Sequence, residues 1–536
     1  MEKYVVRYLF SEMPYAAALN AKHLRNRCSF CFAEFFDDAG EAYRFYFCND
    51  QCEFVCYCSE RCRDDDQCFH DPECVAVQRE NNRVDGVDPS LELSVRLLGR
   101  LITRYWKDQG VASLSKDFPQ HLGKERRFDD LMSHKNEIRH SRKHESLFKQ
   151  TEVAFRGFFD GTPLASIKSD VLFQFFCRYV INGFVVNVRV RPEPGCCEQM
   201  GEAIYLNVSR FNHSCSPSCL YKFDGCRLII QYIDDETEQD RLDDETTFAK
   251  RPDLTKQEFE SLTLNYGIGP SWSYGTSCPM TEQRISSLKY RYFFHCRCTL
   301  CSNDLQNEIQ SDSAPIECSI CTYPYVWRRS KLWGSLKLKR SCQCPRDKRM
   351  QEEEFKPAPW LQESGAANHA KDLSQQWTTA MNAAWRAENL HNTIKTCESV
   401  LQESEKYWNH KYNVRYGQLN EKLFDTLFRL ITENGKIKPS TTIPDFELAL
   451  KTGENMMGVY VRYFEPHMLN VATSAQELGL LYKIRSKQPA DADENRSKFW
   501  YAFAIDVWKR RGELECAEFV EAQADAEPAT PWKPYR

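Results

Sequence analysis

Apolar residues in the last third of the chain recur every three to four positions, which is the spacing of helices that bury one face. Gly435 and Pro439 separate the first stripe from the second, and small residues leave room for helices to approach closely. The stripes are Leu423, Phe424, Leu427, Phe428 and Ile431; Phe446, Ala449, Leu450, Gly453, Met457, Tyr460, Val461 and Phe464; and Ala472, Ala475, Leu478 and Tyr482. This pattern predicts an all-α domain of antiparallel helical hairpins over 366–536.

The middle of the chain mixes helical and strand patterns, which predicts an α+β multidomain protein. The apolar run 170–187 predicts a buried helix that leads into a strand at Asn182, and 228–233 has the composition of a strand. A helical insert is predicted from about 79 to 165. Its first apolar stripe consists of Leu91, Val95, Leu98, Ile102 and Tyr105.

Three polar stretches interrupt these patterns. We interpret the charged residues of 124–143 as a solvated helix face rather than a binding patch. The acidic segment 234–256 is predicted to be a disordered surface loop. Residues 303–365 are polar and irregular, although 327–349 carries nine Lys or Arg residues and two Trp. Such a patch could stack on nucleic acid, but we favour a solvated surface.

Composition narrows the class of protein. A chain of 536 residues is long enough for two or three domains. The mean hydropathy of −0.60 and the lack of a run of about 18 apolar residues argue against a membrane span. The net charge of −5 gives no general case for nucleic-acid binding. The 25 cysteines, with no secretory signal at the start, favour zinc thiolates in the cytoplasm or nucleus over disulfides.

The cysteines between 28 and 74 are spaced as zinc ligands. Two-ligand knuckles lower the entropy cost of building a tetrahedral site. An interleaved pairing gives two sites, one from Cys28, Cys31, Cys58 and Cys62, the other from Cys48, Cys52, His70 and Cys74. Cys56 could replace Cys52, and a set of buried cysteines without metal is the alternative. The acidic residues of this segment, which argue against contact with DNA phosphates, are Asp64, Asp65, Asp66, Asp71 and Glu73.

A second group of cysteines lies downstream. Cys296, Cys298 and Cys301 supply three ligands, so a fourth must come from elsewhere in the chain. A cluster of three cysteines with no metal is the alternative. Whether a further set binds another zinc ion is left open; that set is Cys318, Cys321, Cys342 and Cys344.

The Asn-His-Ser-Cys motif at 212–215, then Tyr266, then Phe294 before the cysteine trio, follow the cysteine ladder in a distinctive order. Together they resemble a SET domain split by a MYND zinc finger, the arrangement of the SET and MYND domain-containing protein-lysine methyltransferases. The resemblance implies seven segments: a remnant of the first SET lobe (1–22), the MYND finger (23–78), a helical insert (79–165), the SET core (166–290), a post-SET zinc segment (291–303), a linker with extra cysteines (304–365) and a tetratricopeptide-like helical domain (366–536).

The resemblance also implies an activity and its residues. The family transfers a methyl group from S-adenosylmethionine to a lysine of a histone or non-histone protein, so a chromatin regulator is one expectation. Tyr266 would be catalytic and Tyr292 would line the lysine channel. The cofactor would be held by Asn182, Asn212, His213 and Phe294. Cys215 would complete the site of the trio, giving three zinc ions.

Some expectations from the resemblance stay open. SET domains of this family begin with a Gly-x-Gly turn, and none precedes Leu9 and Phe10. Either the given chain starts late, or one wall of the cofactor pocket is missing. The alternative function is therefore a weakly active or inactive zinc-braced scaffold that binds protein partners. A proline-rich peptide at the finger is a further expected partner; the chain is expected to be a monomer without membrane contact, and nucleic acid is disfavoured.

Overall fold

The computed structural model describes residues 4–35, 45–48, 52, 54–79, 89–110, 118, 124–189, 197–215, 217–235, 254–266, 281–298, 301, 326–329, 336–339, 389–404, 414–433, 436–438, 440–463, 469–485, 492–510 and 514–525. The chain divides into two units. One comprises 1–191, 196–270 and 288–296, and the other comprises 192–195, 271–287 and 297–536.

The described chain mixes helices and strands, as predicted. The strands are β1 (Tyr4–Glu12), β2 (Ala16–Leu19), β3 (Tyr46–Phe47), β4 (Cys56–Tyr57), β5 (Gly183–Arg189), β6 (Cys197–Ile204), β7 (Asn212–His213), β8 (Cys219–Asp224), β9 (Arg227–Asp235), β10 (Thr263–Leu264), β11 (Val326–Arg329), β12 (Leu336–Lys339), β13 (Thr432–Glu433) and β14 (Lys436–Ile437). The helices are α1 (Glu60–Arg79), α2 (Pro89–Asp108), α3 (Lys135–His140), α4 (Arg142–Phe158), α5 (Ser169–Asn182), α6 (Lys256–Ser261), α7 (Thr281–Tyr292), α8 (Leu390–Ser404), α9 (Val414–Ile431), α10 (Ile443–Tyr463), α11 (Leu469–Arg485), α12 (Ala492–Arg510) and α13 (Leu514–Asp525).

Two sheets organise the first unit. The larger has the strand order β1-β9-β8-β10-β7, and the smaller has the order β2-β6-β5. In the larger sheet β7 runs parallel to β10, with Asn212 opposite Thr263 and His213 opposite Leu264. Phe10 of β1 is fully buried and stacks on Phe211 at 6.1 Å between ring centroids. The apolar face of β1 thus packs on the residue that precedes β7.

The predicted passage from helix to strand at Asn182 is confirmed. Helix α5 ends at Asn182 and β5 begins at Gly183, where the backbone N–H of Gly183 donates to the Tyr179 carbonyl. The helix buries apolar side chains that include Phe173 and Phe176. Because the next strand pairs with β6, the end of α5 is fixed at the edge of the smaller sheet.

Helix α2 confirms the predicted apolar stripe but also buries two arginines that the pattern did not indicate. Val95, Leu98 and Ile102 are buried, as are Arg96 and Arg100. The Arg100 guanidinium donates to Asp66 at 2.7 Å and to Glu73 at 2.7 Å, both on α1. A buried guanidinium is stable only when it is paired and hydrogen-bonded, and two carboxylates meet that requirement here.

This pairing accounts for two of the acidic residues that the sequence places between Cys62 and Cys74. Asp66 and Glu73 are 1% and 0% exposed, respectively, and are neutralised within the unit. Burial alone would raise the pKa of Glu73, but the nearby guanidiniums of Arg100 and Arg96 outweigh that effect and hold the pKa well below its ordinary range. Of the five acidic residues in this segment, these two therefore face the interior.

The prediction of one solvated helix face over 124–143 is partly wrong. Arg139 and Lys143 are exposed on α3 and α4, as predicted. Residues 124–127 are not helical, and Arg126 is half-buried with hydrogen bonds to the Ser209 carbonyl and hydroxyl at 2.9 and 3.2 Å. The charge pattern did not show that this segment crosses over the turn that precedes β7.

Two further predictions change at their boundaries. Asp234 and Asp235 belong to β9 and pair with Val5 and Tyr4, so the predicted acidic loop begins later than expected; residues 236–253 lie outside the described ranges. Part of the stretch predicted to be irregular forms the antiparallel pair β11 and β12. The four cysteines of the open fourth set lie outside the described residues.

The C-terminal helices confirm the predicted stripes. Leu423, Leu450 and Leu478 are buried in one core, and each helix from α8 to α13 packs against the next in sequence. Phe464, Gly435 and Pro439 lie outside the described residues. No helix within the described ranges combines the length and apolarity needed to cross a bilayer.

At Gly453 the helix α10 comes close to side chains of α9 and α11, and its substitution tests the packing. An added Cβ would lie 2.7 Å from Cε2 of Phe424 and 2.9 Å from Cδ1 of Leu478. Overpacking costs about 1–3 kcal/mol, which exceeds the roughly 1 kcal/mol by which alanine favours a helix over glycine. Gly453→Ala should therefore lower the unfolding temperature followed by circular dichroism. Gly157→Ala is the matched control, because a Cβ there meets nothing within 4 Å; equal responses would contradict the packing argument.

Candidate metal centres and the adjoining aromatic site

The first cysteine cluster has the membership that the spacing predicted. The sulfurs of Cys28, Cys31, Cys58 and Cys62 all lie within 4.8 Å of one another. Cys31 and Cys58 are 3.5 Å apart, and Cys58 and Cys62 are 3.6 Å apart. Four sulfurs bound to zinc at about 2.3 Å would be separated by about 3.8 Å, so this donor set fits a tetrahedral zinc ion.

The second cluster joins Cys48, Cys52, His70 and Cys74, again within 4.8 Å of one another. The Nε2 atom of His70 lies 3.3 Å from Sγ of Cys52. Burial alone would raise the pKa of the Cys48 thiol, but hydrogen bonds from His70 and Cys52 hold it at about 6. A thiol that ionises readily is suited to metal binding.

Cys56, the alternative to Cys52, is not part of this cluster. It lies on β4, where it pairs with Phe47 of β3, and it is 2% exposed. Burial raises the pKa of its thiol to about 11, so the group stays neutral. The strand pairing turns Cys56 into the core and leaves Cys52 as the ligand.

A carboxylate supports the histidine of the second cluster. Nδ1 of His70 lies 3.5 Å from Oε2 of Glu73, which Arg100 also contacts. Metal-binding histidines commonly bond a carboxylate through their second nitrogen, which fixes the ring orientation. Tyr57 extends the same network by donating to Asp66 at 2.9 Å. The sequence pattern predicted the ligands but not these supporting residues.

The third cluster brings the motif cysteine to the downstream trio. Cys215, Cys296, Cys298 and Cys301 have sulfurs within 4.8 Å of one another, and Sγ of Cys215 is 3.9 Å from Sγ of Cys296. Four thiols in this arrangement also fit zinc. Cys215 is therefore the fourth member of this cluster, which the sequence analysis expected from elsewhere in the chain.

Four rings predicted to form the site lie close to one another, and one of them, His213, contacts Cys215. The Tyr266 ring centroid is 5.1 Å from that of Tyr292, 5.3 Å from that of His213 and 6.3 Å from that of Phe294. Phe294 is half-buried, whereas Tyr292 is 7% exposed. We call these four residues the ring group. Its aromatic walls limit the access of water while leaving one ring partly open.

Tyr266 is held at several atoms. Its hydroxyl donates to the Phe211 carbonyl at 2.7 Å, and its own carbonyl accepts from the Tyr292 hydroxyl at 3.2 Å. Burial raises the pKa of the Tyr266 phenol to about 12 because the phenolate would lose its hydration. The hydroxyl is therefore neutral at physiological pH and retains lone pairs that can accept a hydrogen bond.

The two predicted asparagines differ in environment. Asn212 is exposed, whereas Asn182 is 9% exposed. The side-chain Nδ2 of Asn182 donates to the backbone carbonyls of Met132 and Arg178, each at 2.8 Å. Its side-chain carbonyl is thus the atom with which it would bind a ligand, and such an acceptor fits an ammonium group.

Two residues that the sequence analysis missed hold the turn before Asn212. Glu12 accepts from the backbone N–H groups of Asn207 and Val208, both at 2.9 Å. Burial raises the pKa of Glu12 to about 7, although these backbone hydrogen bonds favour the carboxylate. Arg126 contacts Ser209 of the same turn. No spacing pattern in the sequence marks Glu12 or Arg126, because the residues that they contact are about 80 to 195 positions away.

Comparison with known proteins gives several relatives. The histone-lysine N-methyltransferase ASHR1 of Arabidopsis thaliana is 25% identical over 299 residues, covering 55% of this chain and 50% of that protein. N-lysine methyltransferase SMYD2 of Homo sapiens is 23% identical over 481 residues, covering 88% and 83%. SET domain and MYND-type zinc finger protein 6 of Schizosaccharomyces pombe is 26% identical over 254 residues, covering 47% and 40%. The matched region thus covers about half or less of the length of two of these relatives. No protein-family model matches it.

The third cluster can be tested by counting metal. Cys215→Ser replaces a thiolate with a hydroxyl that does not ionise near neutral pH, so the protein should hold one zinc ion fewer than the unmodified chain. Native mass spectrometry or atomic emission gives the count. Cys177→Ser is the control, since Cys177 is buried outside the three clusters. An unchanged count in Cys215→Ser would contradict the assignment.

Proposed function

The chain is related by sequence to the SET and MYND domain-containing methyltransferases, and on this premise we propose that it is a protein-lysine N-methyltransferase that uses S-adenosylmethionine. One observation carries the proposal: the Asn-His-Ser-Cys segment lies beside Tyr266 on one side and beside the downstream cysteines on the other. These three segments are far apart along the chain, so their proximity is a property of the fold and not of the sequence motifs alone.

The domain assignment is part of the proposal. Residues 1–22 and 166–290 would form a SET domain, split by a MYND finger over 23–78 and a helical insert over 79–165. Segments 291–303 and 304–365 would be the post-SET zinc segment and the linker. The finger assignment is supported by the interleaved ligands of the first two clusters. The packing of each helix from α8 to α13 against the next supports a tetratricopeptide-like domain over 366–536.

The ring group suits the acceptor side of the reaction. A lysine with an ordinary pKa of about 10.4 must lose its proton before its nitrogen can attack. A dry aromatic channel favours the neutral amine, because burial penalises the ammonium form. Tyr266 would accept a hydrogen bond from the amine and orient its lone pair, while Tyr292 would line the channel.

The cofactor residues are proposed on their chemistry. S-adenosylmethionine, when bound, supplies a methyl group on a positively charged sulfur. The half-exposed ring of Phe294 would stack on the adenine, and the carbonyl of Asn182 would accept from the amino group. Asn212 would contact the amino-acid end, joined by His213 through its backbone or ring face, since both ring nitrogens of His213 have partners within the protein.

The proposal extends to metals and partners. Zinc at the three clusters would brace the fold, and substrates would be histone or non-histone proteins. Phe45 and Phe47 of the finger are 40% and 43% exposed, which supports a proline-rich peptide as a partner there. We propose a monomer of the cytoplasm or nucleus, and nothing in the described surface favours nucleic acid over protein.

Calorimetric titration with S-adenosylmethionine separates the enzyme from the scaffold. If the chain is an enzyme, the titration should show saturable heat of binding. The chain should also transfer radiolabelled methyl groups from the cofactor to proteins in a panel of histones and cellular proteins. Absence of binding to the zinc-loaded chain would reject the enzyme and favour the scaffold.

Tyr266→Phe tests the acceptor side. The substitution keeps the ring but removes the hydroxyl, so methyl transfer should fall by at least about 100-fold while cofactor binding changes little. Loss of the hydrogen bond to Phe211 should cost only about 1 kcal/mol of stability. Tyr205→Phe is the matched control, because it also loses one buried hydrogen bond, to the Cys226 carbonyl, outside the ring group. Full activity in Tyr266→Phe would refute the role.

The pH dependence follows from the Tyr266 environment. Since burial disfavours the phenolate and raises the pKa to about 12, Tyr266 stays protonated as pH rises. The rate at saturating cofactor should therefore increase by about tenfold per pH unit between about 7 and 9 as the substrate lysine loses its proton. Initial rates over this range check the slope. A decline beginning near pH 9 would mean that a required proton is lost from a group with an ordinary phenol pKa.

A further inference from the structure

Both ring nitrogens of His213 have partners within the protein. Nδ1 accepts a hydrogen bond from the backbone N–H of Tyr266 at 3.1 Å. Nε2 lies 3.2 Å from Sγ of Cys215. His213 is half-buried, so the imidazole lies between the third cluster and the backbone of the ring group.

These two contacts determine where the imidazole proton resides. A backbone N–H can only donate, so Nδ1 must be unprotonated to accept it. A neutral imidazole carries one N–H, which must then be on Nε2. The Nε2–H group therefore donates to Sγ of Cys215, and the sulfur is the acceptor in this hydrogen bond.

A thiolate accepts such a bond better than a thiol, because hydrogen bonds to charged acceptors are stronger. Zinc at the third cluster would keep Cys215 as a thiolate, so the tautomer required by Tyr266 is also the one that suits a metal-bound Cys215. Groups that bond directly to metal ligands orient those ligands and tune the affinity of the site.

We propose that His213 is a positioning residue that couples the metal cluster at Cys215 to the backbone of Tyr266. The naming of Tyr266 as catalytic rests on the proposed function, but the coupling itself does not. Tyr266 is also bonded through its hydroxyl to Phe211 and through its carbonyl to Tyr292, so His213 supplies the third anchor of the residue. Loss of the imidazole would release the Tyr266 N–H and the Cys215 sulfur together.

Two substitutions separate the two halves of the coupling. In His213→Asn the side-chain oxygen can take the place of Nδ1 and accept from Tyr266, but nothing reaches Cys215. In His213→Gln the amide nitrogen can take the place of Nε2 and donate to Cys215, but the acceptor for Tyr266 is lost. A residue that merely fills space would respond similarly to both changes.

The first measurement is zinc transfer from the full-length protein to a chelating dye, scored on the zinc fraction that Cys215→Ser lacks. His213→Asn should weaken zinc retention at this cluster by about 10- to 100-fold, whereas His213→Gln should remain within about threefold of the unmodified chain. His140→Asn is the control, because it replaces a histidine that bonds the Asn136 carbonyl and belongs to none of the three clusters; its zinc retention should not change.

The second measurement is hydrogen exchange of the peptide that contains Tyr266, followed by mass spectrometry on the zinc-loaded protein. His213→Gln should speed exchange of the Tyr266 amide by about tenfold, and His213→Asn should preserve its protection. Equal responses of the two variants in either assay, or no response in both, would overturn the coupling. Neither assay uses cofactor or substrate, so a chain that fails to bind S-adenosylmethionine would reject the proposed function without affecting this result.

Discussion

A parallel pairing of only two residues on each strand determines the geometry of the site. Asn212 and His213 pair with Thr263 and Leu264, segments that lie about 50 positions apart. Such a short ladder is weak alone, but neighbouring hydrogen bonds reinforce it. Ser214 donates through its backbone to the Leu264 carbonyl at 3.0 Å, and Thr263 donates through its backbone to the Ser218 hydroxyl at 2.8 Å. The ring group and the third cluster both depend on this registration.

The turn before this pairing is held from three directions. Glu12 satisfies its backbone N–H groups, Arg126 satisfies the Ser209 carbonyl, and Tyr266 satisfies the Phe211 carbonyl. Backbone groups in buried turns require such partners, because an unsatisfied one costs about as much as a lost hydrogen bond. The result is a preorganised loop, and the proposed methyl transfer would depend on such preorganisation.

The sequence was sufficient for features whose signal is local. Ligand spacing predicted the first two clusters and three members of the third, because a knuckle brings two thiols together through a few covalent bonds. The fourth member of the third cluster, Cys215, came from the resemblance to a known family. Helical periodicity predicted buried positions such as Leu423, Leu450 and Leu478. Features that depend on distant partners could not be predicted this way. The burial of Arg100 depends on its pairing with Asp66 and Glu73, and the pattern of apolar residues contains no information about that pairing. The choice of Cys52 over Cys56 depends on the pairing of β3 with β4. The roles of the site residues remain predictions.

The buried ion network also bears on how separable the cysteine ladder (28–74) is from the rest of its unit. Arg100 lies on α2, outside the cysteine ladder, yet its guanidinium is neutralised by two carboxylates inside that ladder. Replacing the ladder alone with an equivalent from another protein would leave this cation without a counterion, at a cost of about 3–5 kcal/mol. In chimaeras made by exchanging this segment, α2 and the cysteine ladder would have to be transplanted as one piece.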